Sequence, residues 1–353
     1  MTQLHAAILL RQGQFELDVN LDVPSGAITA LLGPSGSGKT TVLRVLAGLQ
    51  RPSNGYLRCA DDIWYDAKRG LWKVPQRRQV GVVFQDYALF DHYTVAQNIG
   101  YGVPAAQRQT QVHHWLNRLH LTGVAGHYPA QLSGGQRQRT ALGRALAIEP
   151  RLLLLDEPFS AVDFAFRHRL RVELRELVER AQYPILLVSH DLDEVRQLAA
   201  QVYVMDEGQV LQSGPTEEVF AQPLTRRVAE IVGWKNLLPV RLLRAGIAQG
   251  AWGAIEVPAA DDRGGWLGVR PEHLSIAPQS AGLLRATLRH ISDLGAVREL
   301  TCVTDDGTHL YILQTWRNVV PHLGEQVKLH AAPQHLRYWP EDEQMMIAET
   351  HTV

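Results

Sequence analysis

The sequence predicts an α/β domain with a largely parallel sheet, followed by a smaller all-β domain. The chain has 353 residues, and single hydrophobic cores stop growing at roughly 250–300 residues, so two domains are expected. Up to residue 233, short apolar runs alternate with segments of helical spacing. Continuous apolar strands separated by helices are typical of a parallel sheet that is covered on both faces.

The elements of the first domain follow one another along the chain. The predicted strands are residues 27–32, 80–84, 152–155, 185–188 and 202–205. The predicted helices are residues 40–49, 136–148, 167–180 and 192–200. Their alternation places the carboxyl end of each strand beside the start of a helix, where α/β sheets bind their ligands.

The pattern changes after residue 233. Short alternating runs lie between turn residues such as Asp305-Asp306-Gly307, which is typical of β-strands joined by tight turns. The predicted strands are residues 267–269, 283–288, 300–303, 310–313 and 326–329. We therefore predict a first domain over residues 1–233 that ends in a helical linker at 215–232, and a β-barrel over residues 234–353.

The composition excludes several classes of protein. Lys and Arg number 35 against 36 Asp and Glu, and this balance argues against nucleic acid as the main partner. Cys59 and Cys302 lie far apart, which excludes a disulfide framework or a Cys-rich zinc site. Neither a signal peptide nor an apolar run of ~18 residues is present, so we expect a cytoplasmic chain that does not span a membrane.

A complete phosphate-binding loop follows the first predicted strand. Its residues are Gly33, Pro34, Ser35, Gly36, Ser37, Gly38, Lys39 and Thr40, with Thr41 continuing into the helix. The pattern GxxxxGK[ST] between a strand and a helix lets backbone N–H groups converge on phosphate oxygens. We expect Lys39 to reach the β- and γ-phosphates and the Thr40 hydroxyl to bind Mg²⁺. The loop predicts a nucleotide site.

Two carboxylates end the predicted strand at 152–155. Asp156 lies where it can hold Mg²⁺, and Glu157 points to a different side, where it can polarise an attacking water. By themselves these residues mark only the boundary between a strand and a turn. Together with the phosphate loop they predict an NTPase.

A second phosphate-binding helix start lies at Ser133-Gly134-Gly135-Gln136. A serine and two glycines before a helix supply backbone donors for an anion. Because the chain already has a complete phosphate loop, this second set indicates a site shared between two subunits. The run Leu-Ser-Gly-Gly-Gln shortly before a strand that ends in Asp-Glu resembles the signature of ABC transporter ATPases.

Further residues match elements of that family. Gln85 corresponds to the glutamine that contacts the metal and the attacking water, and His190 to the switch histidine that contacts the γ-phosphate. Asp163 corresponds to the D-loop aspartate. Phe15 is a candidate for stacking on adenine, although it could equally pack within an alternating strand. The resemblance implies the P-loop NTPase fold of ABC ATPases with ATP and Mg²⁺, and a helical subdomain at about 86–150.

The C-terminal domain extends the resemblance. Residues 268–273, Gly-Val-Arg-Pro-Glu-His, resemble a stretch of importer ATPases that carry an OB-like regulatory barrel, the TOBE domain. That group serves sugar, sulfate, molybdate, ferric and polyamine importers. The segment from Asp62 to Asp86 looks most like the molybdate and sulfate branch, so we expect an inorganic oxyanion as cargo. A ferric or polyamine importer is the alternative, and a soluble ABC ATPase without a transport role is the distant one.

The resemblance also implies partners. Two copies of the chain would form a head-to-tail homodimer around ATP and dock on two transmembrane permease subunits, with an extracytoplasmic solute-binding protein acting indirectly and no nucleic acid. The location implied is the cytoplasmic face of the bacterial plasma membrane. The aromatic residues Tyr87, Phe90 and Tyr101 would form the socket for a permease helix, or else belong to the core of the helical subdomain. The β-domain could also be an interaction module that binds no ligand.

Overall fold

The computed structural model describes residues 2–159, 167, 171–172, 174–176, 183–244, 247–250, 252–257, 264–277, 284–316, 318 and 321–341. The chain divides into two compact units, Met1–Ala221 and Gln222–Val353. None of the described helices is long and apolar enough to cross a membrane.

An 11-stranded sheet forms the centre of the first unit. Its strands are β1 (Thr2–Gln12), β2 (Phe15–Pro24), β3 (Ile28–Leu32), β4 (Asn54–Cys59), β5 (Asp62–Asp66), β6 (Leu71–Trp72), β7 (Val80–Val83), β8 (Leu152–Asp156), β9 (Ile185–Ser189), β10 (Ala199–Asp206) and β11 (Gln209–Pro215). Their order across the sheet is β6-β5-β4-β1-β2-β11-β10-β3-β9-β8-β7.

The expected parallel sheet accounts for only part of these strands. Strands β7, β8, β9, β3 and β10 pair in parallel, and every residue of β3, β8 and β9 is buried. Strands β1, β2, β4, β5 and β6 instead form an antiparallel extension. Of these strands only β2, which buries one face, was indicated by its alternating pattern. The others were missed because tight turns rather than helices connect several of them.

Helices cover the sheet and form the predicted helical subdomain. The first unit contains α1 (Lys39–Ala47), α2 (Val95–Gly100), α3 (Ala105–Arg118), α4 (Gly134–Ala147), α5 (Leu192–Leu198) and α6 (Thr216–Ala221). Helices α2, α3 and α4 lie within residues 86–150, as expected. Of the helix predicted at 167–180, the described residues 167, 171–172 and 174–176 are helical.

In the described part of the second unit, α7 (Arg226–Ile231) and two short 3-10 helices, Pro271–His273 and Pro333–His335, accompany a set of strands. The strands are β12 (Asn236–Val240), β13 (Leu242–Arg244), β14 (Ile247–Gly250), β15 (Gly253–Glu256), β16 (Gly265–Val269), β17 (Ser275–Ile276), β18 (Leu284–Asp293), β19 (Val297–Val303), β20 (His309–Thr315), β21 (Gln326–His330) and β22 (Leu336–Pro340). One sheet has the order β12-β16-β22, and the other contains β13-β14-β15-β18-β19-β20 with β17 and β21 attached. The all-β prediction agrees with this architecture, and the five predicted strands correspond to β16 and β18 to β21.

The second unit starts before the boundary predicted at residue 233. The Trp339 indole N–H donates to the Pro223 carbonyl at 3.0 Å, and the same ring packs edge-on against Trp234, with 5.7 Å between centroids. The Arg226 guanidinium lies over the Trp266 ring at 4.2 Å. These contacts attach the segment around α7 to the sheet β12-β16-β22, so residues 222–232 of the predicted linker pack with the second unit, whereas α6 belongs to the first.

Candidate nucleotide site

The phosphate loop joins β3 to α1 and packs tightly against its surroundings. Gly33 has no room for a side chain, because a Cβ would lie 2.2 Å from the Met205 carbonyl oxygen of β10. Gly38 has φ of +103° and caps α1 in the left-handed region that glycine tolerates. A Cβ on Gly38 would also lie 3.1 Å from the ring of Phe15. Gly33 is therefore required by steric contact, and Gly38 by steric contact as well as by backbone geometry.

Lys39 is held within the loop. Its ammonium group donates to the carbonyl oxygens of Gly33 at 2.8 Å and Pro34 at 2.7 Å. Burial lowers the pKa of Lys39, while the carboxylates of Glu157, Asp156 and Asp206 raise it. A buried cation aimed along the loop is suited to an anionic ligand.

One open cleft, with a volume of about 580 Å³, contains most of the residues selected from the sequence. Ten residues line it: Phe15, Ser35, Gly36, Gly38, Lys39, Thr40, Thr41, Gln85, Glu157 and His190. All ten are among the residues that the sequence analysis selected. The cleft therefore combines an aromatic ring, a phosphate loop and two candidate proton-transfer groups.

Other selected residues lie outside the lining of this cleft. Asp156 is buried at the end of β8, directly before Glu157. Ser133 to Gln136 begin α4, where the Ser133 hydroxyl accepts from Gln136 N at 3.3 Å and the Gln136 side chain accepts from Ser133 N at 2.9 Å. This reciprocal capping box orders the start of the helix. Asp163 lies outside the described residues.

Glu157 and His190 meet because β8 and β9 are parallel neighbours. His190 Nδ1 lies 2.8 Å from Glu157 Oε1, and Glu157 N donates to the Val188 carbonyl at 2.9 Å. Glu157 has φ of +44°, a left-handed conformation that is costly for a residue with a side chain and is concentrated at functional sites. The strained turn places the carboxylate in the cleft, next to the imidazole.

The two consecutive carboxylates have different environments. Burial raises the pKa of Asp156 and the charge of Glu157 raises it further, while Lys39 and Arg44 lower it. Asp156 is buried, whereas Glu157 faces the cleft beside His190. The pair therefore separates a buried carboxylate, Asp156, from one that lines the cleft and is hydrogen-bonded to His190.

A polar network behind His190 was missed by the sequence analysis. The Ser189 hydroxyl donates to Glu194 at 2.7 Å, and Asp191 accepts from the backbone N–H groups of residues 193 and 194 at the start of α5. Arg171 lies 3.4 Å from a carboxylate oxygen of both Asp191 and Glu194. The sequence feature that could have indicated this network is Asp191, a helix-capping residue directly after His190. The part played by Arg171 has no such local indication, because Arg171 is far from Asp191 and Glu194 in the sequence.

The turn between β10 and β11 contacts the phosphate loop, and the sequence analysis did not predict this contact either. Gly208 N donates to the Ser37 carbonyl at 3.1 Å, and the Gly208 carbonyl accepts from Asp18 N at 2.9 Å. The turn thus joins the phosphate loop to β2, the strand that begins with Phe15. It determines the spacing between the aromatic ring and the loop.

Comparisons with known proteins agree with this geometry. The ABC transporter family model matches residues 17–160, and the TOBE domain model matches residues 267–339. The sulfate/thiosulfate import ATP-binding protein CysA of Thermosynechococcus vestitus is 39% identical over 329 residues, which cover 91% of this chain and 93% of that protein. The chain belongs to the ABC transporter ATP-binding proteins. The CysA protein of Mesorhizobium japonicum is 41% identical over 285 residues, covering 77% of this chain and 80% of that protein.

Other ABC proteins are similar over shorter or more divergent stretches. The spermidine/putrescine import ATP-binding protein PotA of Ruegeria pomeroyi is 35% identical over 308 residues, covering 84% of this chain and 82% of that protein. The solved dimer of the ATP-binding cassette MJ0796, in a post-hydrolysis state bound to ADP and Pi, superposes with a TM-score of 0.52 at 26% identity. It covers 60% of this chain and 98% of its own.

The predictions of family, fold class and ATPase activity are confirmed by these comparisons. This ABC ATPase binds ATP and carries a TOBE domain in its second unit. The cleft that contains the phosphate loop is the part of the chain with the chemistry for that activity.

Proposed function

We propose that this ABC ATPase energises the import of sulfate or a closely related oxyanion. The observation that carries the proposal is the similarity to CysA sulfate/thiosulfate import proteins, which extends over both units in the protein from T. vestitus. Polyamine import is the second candidate, because PotA of R. pomeroyi is 35% identical over most of the chain. A ferric importer, the third possibility raised by the sequence, has no such support among these relatives.

The cleft provides a role for each lining group in ATP hydrolysis. Backbone N–H groups of the phosphate loop and the Lys39 ammonium hold the β- and γ-phosphates, and Phe15 lies beside the loop where adenine can stack. Glu157 takes a proton from the water that attacks the γ-phosphorus, as the bond to the β-phosphate oxygen breaks and ADP leaves. His190 holds the Glu157 carboxylate in place and contacts the γ-phosphate.

The oxygen donors at the cleft suit a magnesium ion. Thr40 supplies a hydroxyl, Gln85 an amide oxygen and Asp156 a carboxylate at the end of β8. Mg²⁺ prefers oxygen ligands and is usually held by one or two carboxylates together with phosphates and water. When bound, it neutralises charge on the β- and γ-phosphates. The three residues would hold it directly or through water.

A second copy of the chain completes the site in this proposal. Ser133 is exposed, and residues 133–136 do not line the cleft of their own chain. Their helix start would close on the γ-phosphate held by the other copy, with Asp163 at the same interface. This isologous contact makes ATP part of the dimer interface. The solved MJ0796 dimer supports such an assembly.

Hydrolysis is coupled in this proposal to two permease subunits. The segment after Gln85 passes the closing motion to them at the cytoplasmic face of the bacterial plasma membrane, with a solute-binding protein acting from the other side. The nucleotide-binding domain is the first unit. The second unit, which contains the TOBE match, is the regulatory domain.

The cargo is tested by purifying the tagged full chain with its permease subunits and solute-binding proteins, and reconstituting the complex in liposomes. ATPase activity is then measured with sulfate, thiosulfate, molybdate, ferric ion or spermidine. We expect sulfate or thiosulfate to stimulate hydrolysis. Stimulation by spermidine alone would establish the polyamine alternative, and a Glu157→Gln complex provides the background rate.

A further inference from the structure

Arg144, in the last turn of α4, contacts the segment that follows Gln85. Its Nη1 donates to the Ala88 carbonyl at 2.7 Å, and its Nη2 donates to the Tyr87 carbonyl at 2.9 Å. The guanidinium carbon also lies 5.2 Å from the centre of the Phe90 ring. The Arg144 side chain therefore contacts three residues of the segment 87–90, which we call the glutamine-loop turn.

The backbone of the glutamine-loop turn is strained. Tyr87 has φ of +64° and Ala88 has φ of +42°, so two consecutive residues with side chains adopt the left-handed conformation. Such conformations are costly and persist only where the surroundings determine them. Tyr87 N closes the turn on the Phe84 carbonyl at 2.8 Å. The two charge-assisted bonds from Arg144 engage both strained residues.

The same helix begins with the signature. Ser133 caps α4, and Arg144 lies 11 residues farther along, or about 16 Å at the rise of an α-helix. Tyr87 is buried: its carbonyl accepts from Arg144 in the last turn of α4, and the charge of Arg137, in the second turn, opposes the rise that burial causes in the pKa of its phenol. The glutamine-loop turn, which follows Gln85 of the ATP cleft, is therefore attached to the helix that begins at the signature.

We infer that Arg144 is a positioning residue that locks the glutamine-loop turn to α4, so that Gln85 and the signature move as one body. The inference rests on the shared site proposed above. In that site Gln85 belongs to the cleft of its own chain, whereas the signature of the same chain serves the partner's ATP. A rigid link between Gln85 and the signature couples the two ATP sites. When the signature closes on the ATP of the partner chain, the same movement brings Gln85 into position at the ATP of its own chain.

The test replaces Arg144 in the full chain. Arg144→Met removes both hydrogen bonds, and Arg144→Lys retains the charge without the planar fork that spans two carbonyls. Arg108→Met is the matched control, because Arg108 of α3 also donates to a backbone carbonyl of the helical subdomain, Val103 O, at 3.3 and 3.2 Å. It does so away from the glutamine-loop turn.

We expect Arg144→Met to lower kcat by about tenfold or more, because it removes two charged hydrogen bonds, while the Kd for ATP changes by less than about twofold. Arg144→Lys should recover part of the rate, and Arg108→Met should keep a kcat near that of the wild type. If Arg144→Met does not fold, the same test is made with Arg144→Lys, which should have a lower kcat than the wild type and an unchanged Kd for ATP.

A double-mutant cycle with Gln85→Ala separates positioning from general damage. If Arg144 acts through Gln85, adding Arg144→Met to Gln85→Ala lowers kcat by less than about twofold more. Additive losses, a wild-type kcat in the Arg144 variants, or a Kd that rises as much as kcat falls would each overturn the inference.

Comparison of the wild type with Ser133→Arg separates a failure of the proposed shared ATP site from a failure of the role assigned to Arg144. If Ser133→Arg retains hydrolysis, the shared site itself is wrong. If Ser133→Arg abolishes hydrolysis while the Arg144 variants behave as wild type, only the role of Arg144 is wrong.

Discussion

Replacing Arg78 by methionine tests what holds α1, the helix that begins at the phosphate loop. Arg78 is fully buried. Its Nη1 donates to the carbonyl oxygens of Val45 at 2.7 Å and Leu46 at 2.9 Å, in the last turn of α1, and its Nε donates to the Lys73 carbonyl at 2.8 Å. The guanidinium also lies 4.3 Å from the centre of the Trp72 ring. Methionine retains much of the volume but none of these donors.

The expected change in the free energy of unfolding follows from two opposing contributions of Arg78. Burial lowers the pKa of Arg78 to about 10, which corresponds to a desolvation cost for the charge of about 3 kcal/mol. Each hydrogen bond from a charged donor contributes about 1.5–3 kcal/mol, and a cation at a helix C-terminus adds about 0.3–1 kcal/mol. Three such bonds exceed the desolvation cost. We expect Arg78→Met to reduce the free energy of unfolding of the first unit by about 2–5 kcal/mol.

The assay is thermal or urea unfolding of the full chain, followed by tryptophan fluorescence. For a unit of this size each kcal/mol lowers Tm by roughly 2–4 °C, so a fall of roughly 5–15 °C is expected. Arg77→Met, at the exposed neighbouring position, is the control and should change stability by less than about 0.5 kcal/mol. Equal stability of the two variants would show that the hydrogen bonds of Arg78 contribute no net stability to the first unit.

Four further outcomes are expected. Glu157→Gln should keep ATP binding but nearly abolish turnover and accumulate an ATP-bound dimer on gel filtration; near-normal turnover excludes Glu157 as the base. Ser133→Arg should leave ATP binding to the monomer intact and stop hydrolysis in a phosphate-release assay, and persistent hydrolysis contradicts a shared site. Burial raises the pKa of Glu194, so its contribution to stability is fully present below about pH 4.5 and is lost as pH rises through its folded pKa. The urea midpoint of Glu194→Gln should therefore fall less between pH 4.5 and 7 than that of the wild type. The same change of midpoint with pH in both proteins would contradict this expectation. Gly268→Ala should destabilise the second unit by about 1–3 kcal/mol in thermal unfolding, because its Cβ would lie 2.5 Å from the Trp339 ring, and a wild-type Tm contradicts that packing.

Much of the candidate site was predictable because its signals are local. The phosphate loop from Gly33 to Thr40 encodes a strand, a turn and a helix start within eight residues, and glycine and lysine have specific roles there. Asp156 and Glu157 were recognisable as the polar end of an apolar strand. His190 and Gln85 depended on the family resemblance, since a single polar residue after a strand has no distinctive pattern of its own.

The fold was predictable where the hydrophobic pattern is continuous. Strands β3, β8 and β9 are buried along their whole length and were found from their continuous apolar runs. Strands β1 and β4 to β6 were missed, because short antiparallel strands carry weak patterns and are defined by their pairing partners. The packing of α7 within the second unit was not predictable for a similar reason, since the tryptophan contacts that hold it join residues far apart in sequence.

Local patterns in the amino-acid sequence specify the chemistry: a phosphate loop, a pair of carboxylates and a signature helix, in a chain of two domains. The groups that support this chemistry emerge from the packing of the folded chain. Arg78 reaches the end of α1 across 32 residues, and Arg144 reaches Ala88 across 56. Such contacts depend on how helices pack on the sheet, and packing brings together residues whose separation along the chain carries no periodic signal.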